Sequence, residues 1–296
     1  MTDLAPSDAS APEAVSTPAV VELADLVGRG GVVVLSGAGL STESGIPDYR
    51  GPSGAAQRRQ SPMTYLTFTS DPVARRRYWA RSHLGWQHIA RALPNAGHRA
   101  VAELERRDLV TATVTQNVDG LHTTAGSQRV LDLHGRLDRV RCLACDDLTT
   151  RAEVHDRLTA ANGSWQARAT AVNPDGDTDV PEDQLDGFVP VDCDRCGGLL
   201  KPDVVYFGEN VPVPRVVASY ALVDGAALLL VLGTSLTVFS GRRFVVRAAA
   251  AGIPVAIVND GATRGDDHAA VRIAAPLGAT LTALVDGLGA HARVRG

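Results

Sequence analysis

The sequence predicts an α/β fold in which a doubly wound parallel sheet carries a smaller second domain and an inserted helical module. Short β-branched apolar runs alternate with helically spaced segments at both ends of the chain, as in parallel strands joined by helical crossovers. The first run, Val32–Leu35, ends in a glycine turn. All four cysteines fall within residues 139–200, where apolar runs are scarce. These observations predict a Rossmann-like main domain and a small cysteine-bearing domain.

Length and composition fit one sizeable α/β domain plus a smaller one. The chain has 296 residues, 45% of them apolar, and a net charge of −4. This mild acidity gives no electrostatic argument for binding nucleic acid or an anionic membrane, and no run of 18 apolar residues predicts a membrane span. Residues 1–20 are small and polar, without arginine or an apolar stretch. We therefore expect a disordered lead-in rather than a targeting signal, and a cytoplasmic protein.

The apolar pattern predicts the elements in chain order. A helix over 20–27 leads into the first strand, a mobile loop follows at 51–62, and residues 63–93 form the helical module. The Rossmann-like domain would comprise residues 21–62, 94–138 and 201–292, and the small domain residues 139–200. We predict further strands at Leu109–Thr115, Val130–Leu133, Val204–Phe207, Ala227–Leu232 and Pro254–Val258, and helices at 94–107, 212–224, 241–251 and 276–288.

The glycine turn after the first strand predicts a phosphate site. Gly37–Gly39 let the backbone turn sharply and approach a ligand closely, and Ser41–Ser44 are helix-start residues. A strand, a glycine turn and a helix N-terminus together bind phosphate on backbone N–H groups. The full dinucleotide fingerprint is missing, because Thr42 replaces the third glycine and Pro47 breaks the helix early. A tight turn without a ligand is an open alternative, although the charged and aromatic triplet at 48–50 suits a loop that closes over one.

Polar or glycine-rich turns follow four of the predicted strands. Ligands of doubly wound sheets lie beyond the carboxyl ends of the strands, where these turns would meet. Any one of them could be a simple capped turn, but four on one sheet edge predict a ligand cleft. The turns are Ser36-Gly37-Ala38-Gly39, Thr115-Gln116-Asn117-Val118-Asp119, Gly233-Thr234-Ser235 and Asn259-Asp260-Gly261.

His134 directly follows the predicted strand Val130–Leu133 and would face this cleft. A lone histidine is often only a structural hydrogen-bonding residue, but the pKa range of histidine suits proton transfer near neutrality. We therefore interpret His134 as a catalytic acid–base group, with a structural histidine as the alternative.

The four cysteines form two C-x-x-C pairs, Cys142 with Cys145 and Cys193 with Cys196. Four thiolates in two such pairs suit tetrahedral Zn²⁺, and a site with four cysteine ligands has no open position for catalysis. We predict a structural zinc site, with a redox pair or free thiols as the alternatives.

Several motifs, in this order, resemble the sirtuins, which are NAD-dependent protein lysine deacylases. The resemblance covers residues 21–290. Tyr49, the RYWAR stretch at 77–81, and the insertion with Trp165 and residues 174–177 are similar to the class II branch of that family. The motifs are GAGLSTESGIPDYRG at 37–51, TQNVDGLH at 115–122, LHG at 133–135, the two cysteine pairs, KPDVVYFGE at 201–209, GTSLTVFS at 233–240 and VND at 258–260.

The resemblance implies that NAD binds across the cleft. The turn at 37–41 would hold the pyrophosphate, and Ser235 and Asn259 the adenosine half. His134 would act as general base, with Asn117 and Asp119 as catalytic partners, while the acyl group passes to ADP-ribose and nicotinamide leaves. The implied NAD contacts are Gly37, Ala38, Gly39, Ser41, Thr42, Glu43, Ile46, Pro47, Asp48, Tyr49, Arg50, Gln116, Asn117, Val118, Asp119, Gly233, Thr234, Ser235, Asn259, Asp260, Gly261 and Leu277.

The implied partners are proteins that carry acylated lysines. Tyr78 and Arg81 would share a helix face and read an acidic acyl tail, since arginine captures carboxylates with paired hydrogen bonds. A plain surface arginine is the alternative for Arg81. Transfer of ADP-ribose to protein, or a non-catalytic NAD-binding regulator, are the alternative functions. The segment implied to bind the substrate peptide as an added strand is Val205, Tyr206, Phe207, Gly208 and Glu209.

Overall fold

A computed structural model of the protein describes residues 18–49, 62–169, 171–173 and 175–294. Most of the predicted lead-in at 1–20 and of the predicted 51–62 loop lie outside these residues, as do Arg50 and Pro174. The helices are α1 Pro18–Val27, α2 Tyr65–Ser70, α3 Pro72–Arg91, α4 Ala96–Arg106, α5 Leu121–Thr124, α6 Arg151–Ala161, α7 Val213–Asp224, α8 Phe239–Ala250 and α9 Leu277–Val294. The strands are β1 Val32–Ser36, β2 Val110–Thr115, β3 Val130–Asp132, β4 Gly135–Cys142, β5 Leu148–Thr150, β6 Ala171–Val172, β7 Thr178–Asp179, β8 Leu200–Val204, β9 Leu228–Leu232, β10 Val255–Val258 and β11 Val271–Ile273.

The main sheet has six strands in the order β11-β10-β9-β1-β2-β3, and all of its neighbours pair in parallel. The chain builds one half outward from β1 to β3 and then returns to build the other half from β9 to β11. The strand order therefore reverses between β1 and β9, which is where ligands bind in such sheets. The predicted doubly wound sheet is confirmed. β11 was not predicted, because Arg272 interrupts its apolar residues.

Helices cover both faces of the main sheet. On one face, α1, α4 and α9 contribute Leu23, Val101 and Leu281 to a buried cluster with β1 and β9. On the other face, α7 and α8 contribute Val223 and Phe244. Every residue of β1 and of β9 is buried as a result, which explains why both read as unbroken apolar runs.

A second sheet, in the order β5-β4-β8, is antiparallel and three-stranded. The predicted strand at Val204–Phe207 is wrong. The strand is β8, Leu200–Val204, and it pairs with β4 rather than joining the main sheet. Beyond β8 the backbone leaves the extended conformation at Gly208, whose φ is +76°.

A third buried cluster joins this small sheet to α2, α3 and α6. Its large side chains include Phe68, Trp79, Leu158 and Phe188. α2 and α3 occupy the stretch that was predicted to be helical at 63–93, and α3 begins where Asp71 accepts the N–H groups of the first helical turn. Within the described part of the chain, no helix is both long and apolar enough to cross a bilayer.

Candidate active site

The turn after β1 is held against the turn after β9. The N–H of Gly39 donates to the carbonyl oxygen of Gly233 over 2.8 Å. A Cβ at Gly233 would lie 2.4 Å from the backbone nitrogen of Leu40, and a Cβ at Gly37 would lie 2.6 Å from the Cβ of Thr234. The glycines are needed for this approach of two backbones, and Gly233 also has a φ of +61°.

Among the described residues 37–49, which follow β1 directly, no α-helix begins, so the predicted helix start at Ser41–Ser44 is wrong. Two short 3₁₀ turns, Ala38–Leu40 and Thr42–Ser44, take its place. The left-handed Gly45 ends the second turn, with a φ of +82°. The Glu43 carboxylate accepts the N–H of Gly278 over 2.9 Å, so this segment is fastened to the beginning of α9 beside Leu277.

Asn117, Ser41 and Asp119 form a chain of hydrogen bonds beneath the first turn. The Asn117 amide donates to the carbonyl oxygen of Gly37 over 3.1 Å and to Ser41 Oγ over 3.0 Å. Ser41 Oγ donates to Asp119 Oδ2 over 2.7 Å. Burial raises the pKa of the Asp119 carboxyl, and hydrogen bonds from the Leu121 N–H and Ser41 oppose that shift. The chain links the turns after β1 and β2, as the sequence predicted for the polar strand ends.

Gln116 connects the turns after β1 and β2 to the turn after β9. Its side-chain amide donates to the carbonyl oxygen of Ser36 over 3.3 Å and to Thr234 Oγ1 over 3.2 Å. The space beside it is filled, since a Cβ at Gly241 would lie 2.4 Å from Gln116 Oε1. The carboxyl ends of β1, β2 and β9 therefore share one polar network. In the fourth turn the Asn259 amide donates to the carbonyl oxygens of Asp260 and Gly261. The same loop is joined to the third turn by backbone, since the N–H of Arg264 donates to the carbonyl oxygen of Ser235 over 3.0 Å.

His134 is held at both ring nitrogens. Nδ1 lies 3.0 Å from the carbonyl oxygen of Gln116, and Nε2 lies 2.9 Å from Ser240 Oγ. A carbonyl oxygen can only accept, so we assign the proton to Nδ1 and the lone pair to Nε2. Burial lowers the pKa of His134 to about 4; the Gln116 carbonyl opposes that shift, and the charges of Arg243 and Arg215 add to it. The imidazole is therefore neutral at physiological pH, and its basic nitrogen, Nε2, accepts a hydrogen bond from the Ser240 hydroxyl.

The segment that follows β8 lies against His134. The N–H of Val205 donates to the carbonyl oxygen of His134 over 2.8 Å. Further along, the carbonyl oxygen of Phe207 accepts the N–H of Tyr65 over 3.0 Å, and the Phe207 ring meets Tyr49 edge to face with centroids 6.2 Å apart. Phe207 remains 41% exposed. The segment therefore contacts both the histidine and the loop after β1, and it is also accessible to solvent.

Tyr78 and Arg81 are both buried, and their surroundings differ from the prediction. Arg81 Nε lies 3.0 and 3.1 Å from the two carboxylate oxygens of Asp177, and both side chains are about nine-tenths buried. Burial raises the pKa of Asp177 to about 7, with the charge of Arg81 opposing that shift. Tyr78 packs edge to face on Phe68 and Tyr206, each with centroids 5.5 Å apart. The charge of Arg81 is thus compensated inside the protein by a residue that the sequence analysis did not single out as its partner.

The four cysteines converge as predicted. Their Sγ atoms all lie within 4.8 Å of one another, with Cys142 and Cys196 3.5 Å apart and Cys145 and Cys193 3.8 Å apart. Zn–S bonds of about 2.3 Å at the tetrahedral angle separate two sulfurs by about 3.8 Å. The donor set and its spacing fit a structural Zn²⁺.

Comparison with known proteins identifies the family. The sequence profile of the Sir2 family matches residues 37–240. The chain belongs to this family. NAD-dependent protein deacetylase 1 of Streptomyces coelicolor is 58% identical over 273 residues, which cover 92% of this chain and 91% of that protein. NAD-dependent protein deacetylase 1 of Mycobacterium avium is 53% identical and covers 90% of this chain and 94% of its own length. A solved structure of Sir2 with a p53 peptide and NAD+ is 31% identical, with a TM-score of 0.74, over 91% of this chain and 98% of that chain.

One contact of this sirtuin site was missed from the sequence. Ser240 bonds the basic nitrogen of His134, although 106 residues separate the two. The available signal was a serine inside the GTSLTVFS motif, next to the predicted start of a helix at 241.

We expect loss of the metal to unfold the small domain of this sirtuin. Free energy released by metal binding at a structural site is free energy of folding, so Cys145→Ser or prolonged chelation should lower Tm by about 10 °C or more. Calorimetry together with elemental analysis for zinc checks this result. A zinc-free protein with an unchanged Tm would contradict a structural role.

Proposed function

We propose that this sirtuin is an NAD-dependent protein lysine deacetylase that acts on acylated cytoplasmic proteins. The observation that carries the proposal is the neutral His134, held at both nitrogens beside the polar network at the strand-order reversal. A neutral imidazole at this place can accept a proton from a sugar hydroxyl. Relatives that are called deacetylases match along nine-tenths of the chain, which supports the same chemistry here.

The residues of the first turn fit a dinucleotide. The N–H groups of Gly37, Gly39 and Gly233 donate to carbonyl oxygens inside the protein. Ala38 and Thr42 begin the two 3₁₀ turns, where the first N–H groups have no partner within the turn, so these are the donors that we assign to phosphate oxygens. Ser44 Oγ is buried without a hydrogen-bond partner among the described residues, so a ligand at the turn would satisfy it. We assign the pyrophosphate to Gly37–Ser41, the adenosine half to Ser235, Asn259 and Leu277, and the nicotinamide half to Gln116, Asn117 and Asp119.

The protein's part in the reaction centres on one proton. NAD, with its nicotinamide half held by Gln116, Asn117 and Asp119, would supply an electrophilic ribose carbon for the acyl oxygen and nicotinamide as the leaving group. His134 Nε2 would accept the proton of a ribose hydroxyl. The Ser240 hydroxyl must first give up its hydrogen bond to the lone pair of Nε2. The Nδ1–H bond to the Gln116 carbonyl persists and orients the charged ring. The hydroxyl oxygen would then bond to the acyl carbon, the lysine amine would leave with the proton held by His134, and water would add to the acyl carbon in its place. Free lysine, nicotinamide and O-acyl-ADP-ribose would result, and Zn²⁺ would take no part, because four cysteines leave it no open position.

The peptide and domain assignments are part of the same proposal. We assign the substrate peptide to Val205–Glu209, which borders His134 through the Val205 N–H. We divide the chain into a Rossmann-like domain, the helical module at 63–93 and the small zinc domain. Because β8 pairs with β4, we place residues 200–204 with the small domain instead of the main one.

The proposal is tested by His134→Ala with an acetyl-lysine peptide and NAD. Loss of the general base should lower kcat by about 10²- to 10⁴-fold, while the Kd for NAD measured by calorimetry stays within about threefold. Mass spectrometry of the released ADP-ribose ester follows turnover. His268→Ala, at an exposed histidine, is the matched control and should behave as wild type. Full turnover by the His134 variant would contradict the proposal.

We further propose that acetyl-lysine is preferred over lysines that carry an acidic acyl group. Arg81 is the cation expected to bind the carboxylate of an acidic acyl group. Its guanidinium is already bonded to the carboxylate of Asp177. Asp177→Asn removes this internal carboxylate but keeps an oxygen for the N–H of Thr178. We expect kcat/KM for a succinyl-lysine peptide to rise about tenfold relative to the acetyl peptide in that variant.

The matched control for this selectivity is the double variant Asp177→Asn with Arg81→Met. It should lose the gain, because the arginine that would meet the succinyl carboxylate is gone. A wild-type preference for succinyl-lysine, or an unchanged ratio in Asp177→Asn, would contradict the assignment.

A further inference from the structure

Lys201 is the only lysine among the 29 basic residues of the chain. It lies in β8 and is 4% exposed. A buried ammonium group is costly unless its charge and its donors are matched. The deacetylation scheme gives this cation no part, so its partners indicate what it does.

The Lys201 ammonium is enclosed by two acceptors and two rings. Nζ donates to the carbonyl oxygen of Val204 and, over 2.9 Å, to Glu209 Oε2. It also lies 4.6 Å from the ring centroid of Tyr206 and 5.8 Å from that of Tyr65. Hydrogen bonds and ring faces together match the charge. Burial lowers the pKa of Lys201, and the hydrogen bond and charge of Glu209 oppose that shift.

The same carboxylate closes the turn that follows β8. Glu209 Oε2 accepts the N–H of Tyr206 over 2.8 Å, and the Glu209 N–H donates to the Tyr206 carbonyl oxygen over 3.0 Å. Gly208 permits this turn through its positive φ of +76°. Lys201 therefore fixes Glu209, and Glu209 fixes the backbone of residues 206–209.

The remaining anchors of the turn lead to the reaction centre. Val205 is tied to the backbone of His134, and the Phe207 carbonyl oxygen is tied to Tyr65 at the start of α2. The Tyr65 ring also faces the Lys201 ammonium. A single buried charge thus sits between the small sheet, the helical module and the segment that borders the histidine.

We propose that Lys201 is a positioning residue for the acyl-lysine peptide, acting through Glu209 on the segment Val205–Glu209. This inference rests on the proposed function, because that segment is assigned to the peptide there. A peptide added as a strand needs a fixed row of backbone donors and acceptors, and a loosened turn offers these in several arrangements. Removing either charge leaves the other one partly buried without its partner, which loosens the turn.

The test uses the full-length zinc-loaded protein and three variants. Lys201→Met keeps an unbranched chain of similar length without the charge, and Glu209→Gln keeps the shape of the acceptor without the charge. Each should raise KM for an acetyl-lysine peptide about tenfold and leave the Kd for NAD within about twofold. The double variant should raise the peptide KM no further than the more impaired of the two single variants, because both changes break the same interaction.

The controls separate positioning from a merely structural role. Arg247→Met breaks the exposed pair of Arg247 with Asp224 and should leave both constants unchanged. Zinc content and Tm report folding; if Lys201→Met does not fold, Glu209→Gln carries the test. A peptide KM within twofold of wild type in the folded variants, or equal losses of NAD and peptide binding, would overturn the inference. Absence of NAD-dependent deacetylation in the wild type would instead overturn the proposed function.

Discussion

The close approach of two backbone turns is the constraint on which the cleft depends. β1 and β9 are neighbours where the strand order reverses, and the turns after them share the hydrogen bond from Gly39 to Gly233. No side chain fits between them, since a Cβ at either glycine would lie within about 3 Å of the opposing backbone. The floor of the cleft is consequently made of backbone. The N–H groups of Gly37, Gly39 and Gly233 are bonded to carbonyl oxygens inside the protein, and the Asn117 amide bonds the carbonyl oxygen of Gly37, so the floor is rigid.

A second close approach of two backbones, at Gly135 and β8, determines the position of His134. Between β3 and β4 the chain leaves the main sheet and enters the small one, and His134 sits at that passage. Gly135 has a φ of +82°, and a Cβ there would overlap the carbonyl oxygen of Asp203 at 1.9 Å. Only glycine lets β8 come this near. The His134 side chain is bonded to Gln116, the residue after β2, and its carbonyl oxygen to Val205, the residue after β8, so both sheets position the base.

Local patterns in the sequence predicted the features that depend on neighbouring residues. β-branched runs predicted the buried parallel strands, and cysteine spacing predicted the metal cluster. Contacts between distant residues could not be predicted. Glu43 meets Gly278 across 235 positions, and Arg81 meets Asp177 across 96. Neither pair has a periodicity or a spacing that marks it, because each depends on how whole elements pack. The missing helix after β1 had a local cause, namely Gly45 and Pro47, whose effect on the first turn outweighed the helix-start residues.

Desolvation connects the chemistry of the site to the packing beneath it. His122 bonds Ser36 Oγ below the first turn and meets His98 edge to face, with ring centroids 5.0 Å apart. Burial lowers the pKa of His122 to about 3 and that of His98 to about 4. A histidine with a folded pKa below its unfolded value takes up a proton on unfolding, so acid favours the unfolded chain from about pH 6.5 downward. The dry surroundings that keep His134 a neutral base thus make the fold sensitive to acid, and both effects follow from closing the sheet edge against water.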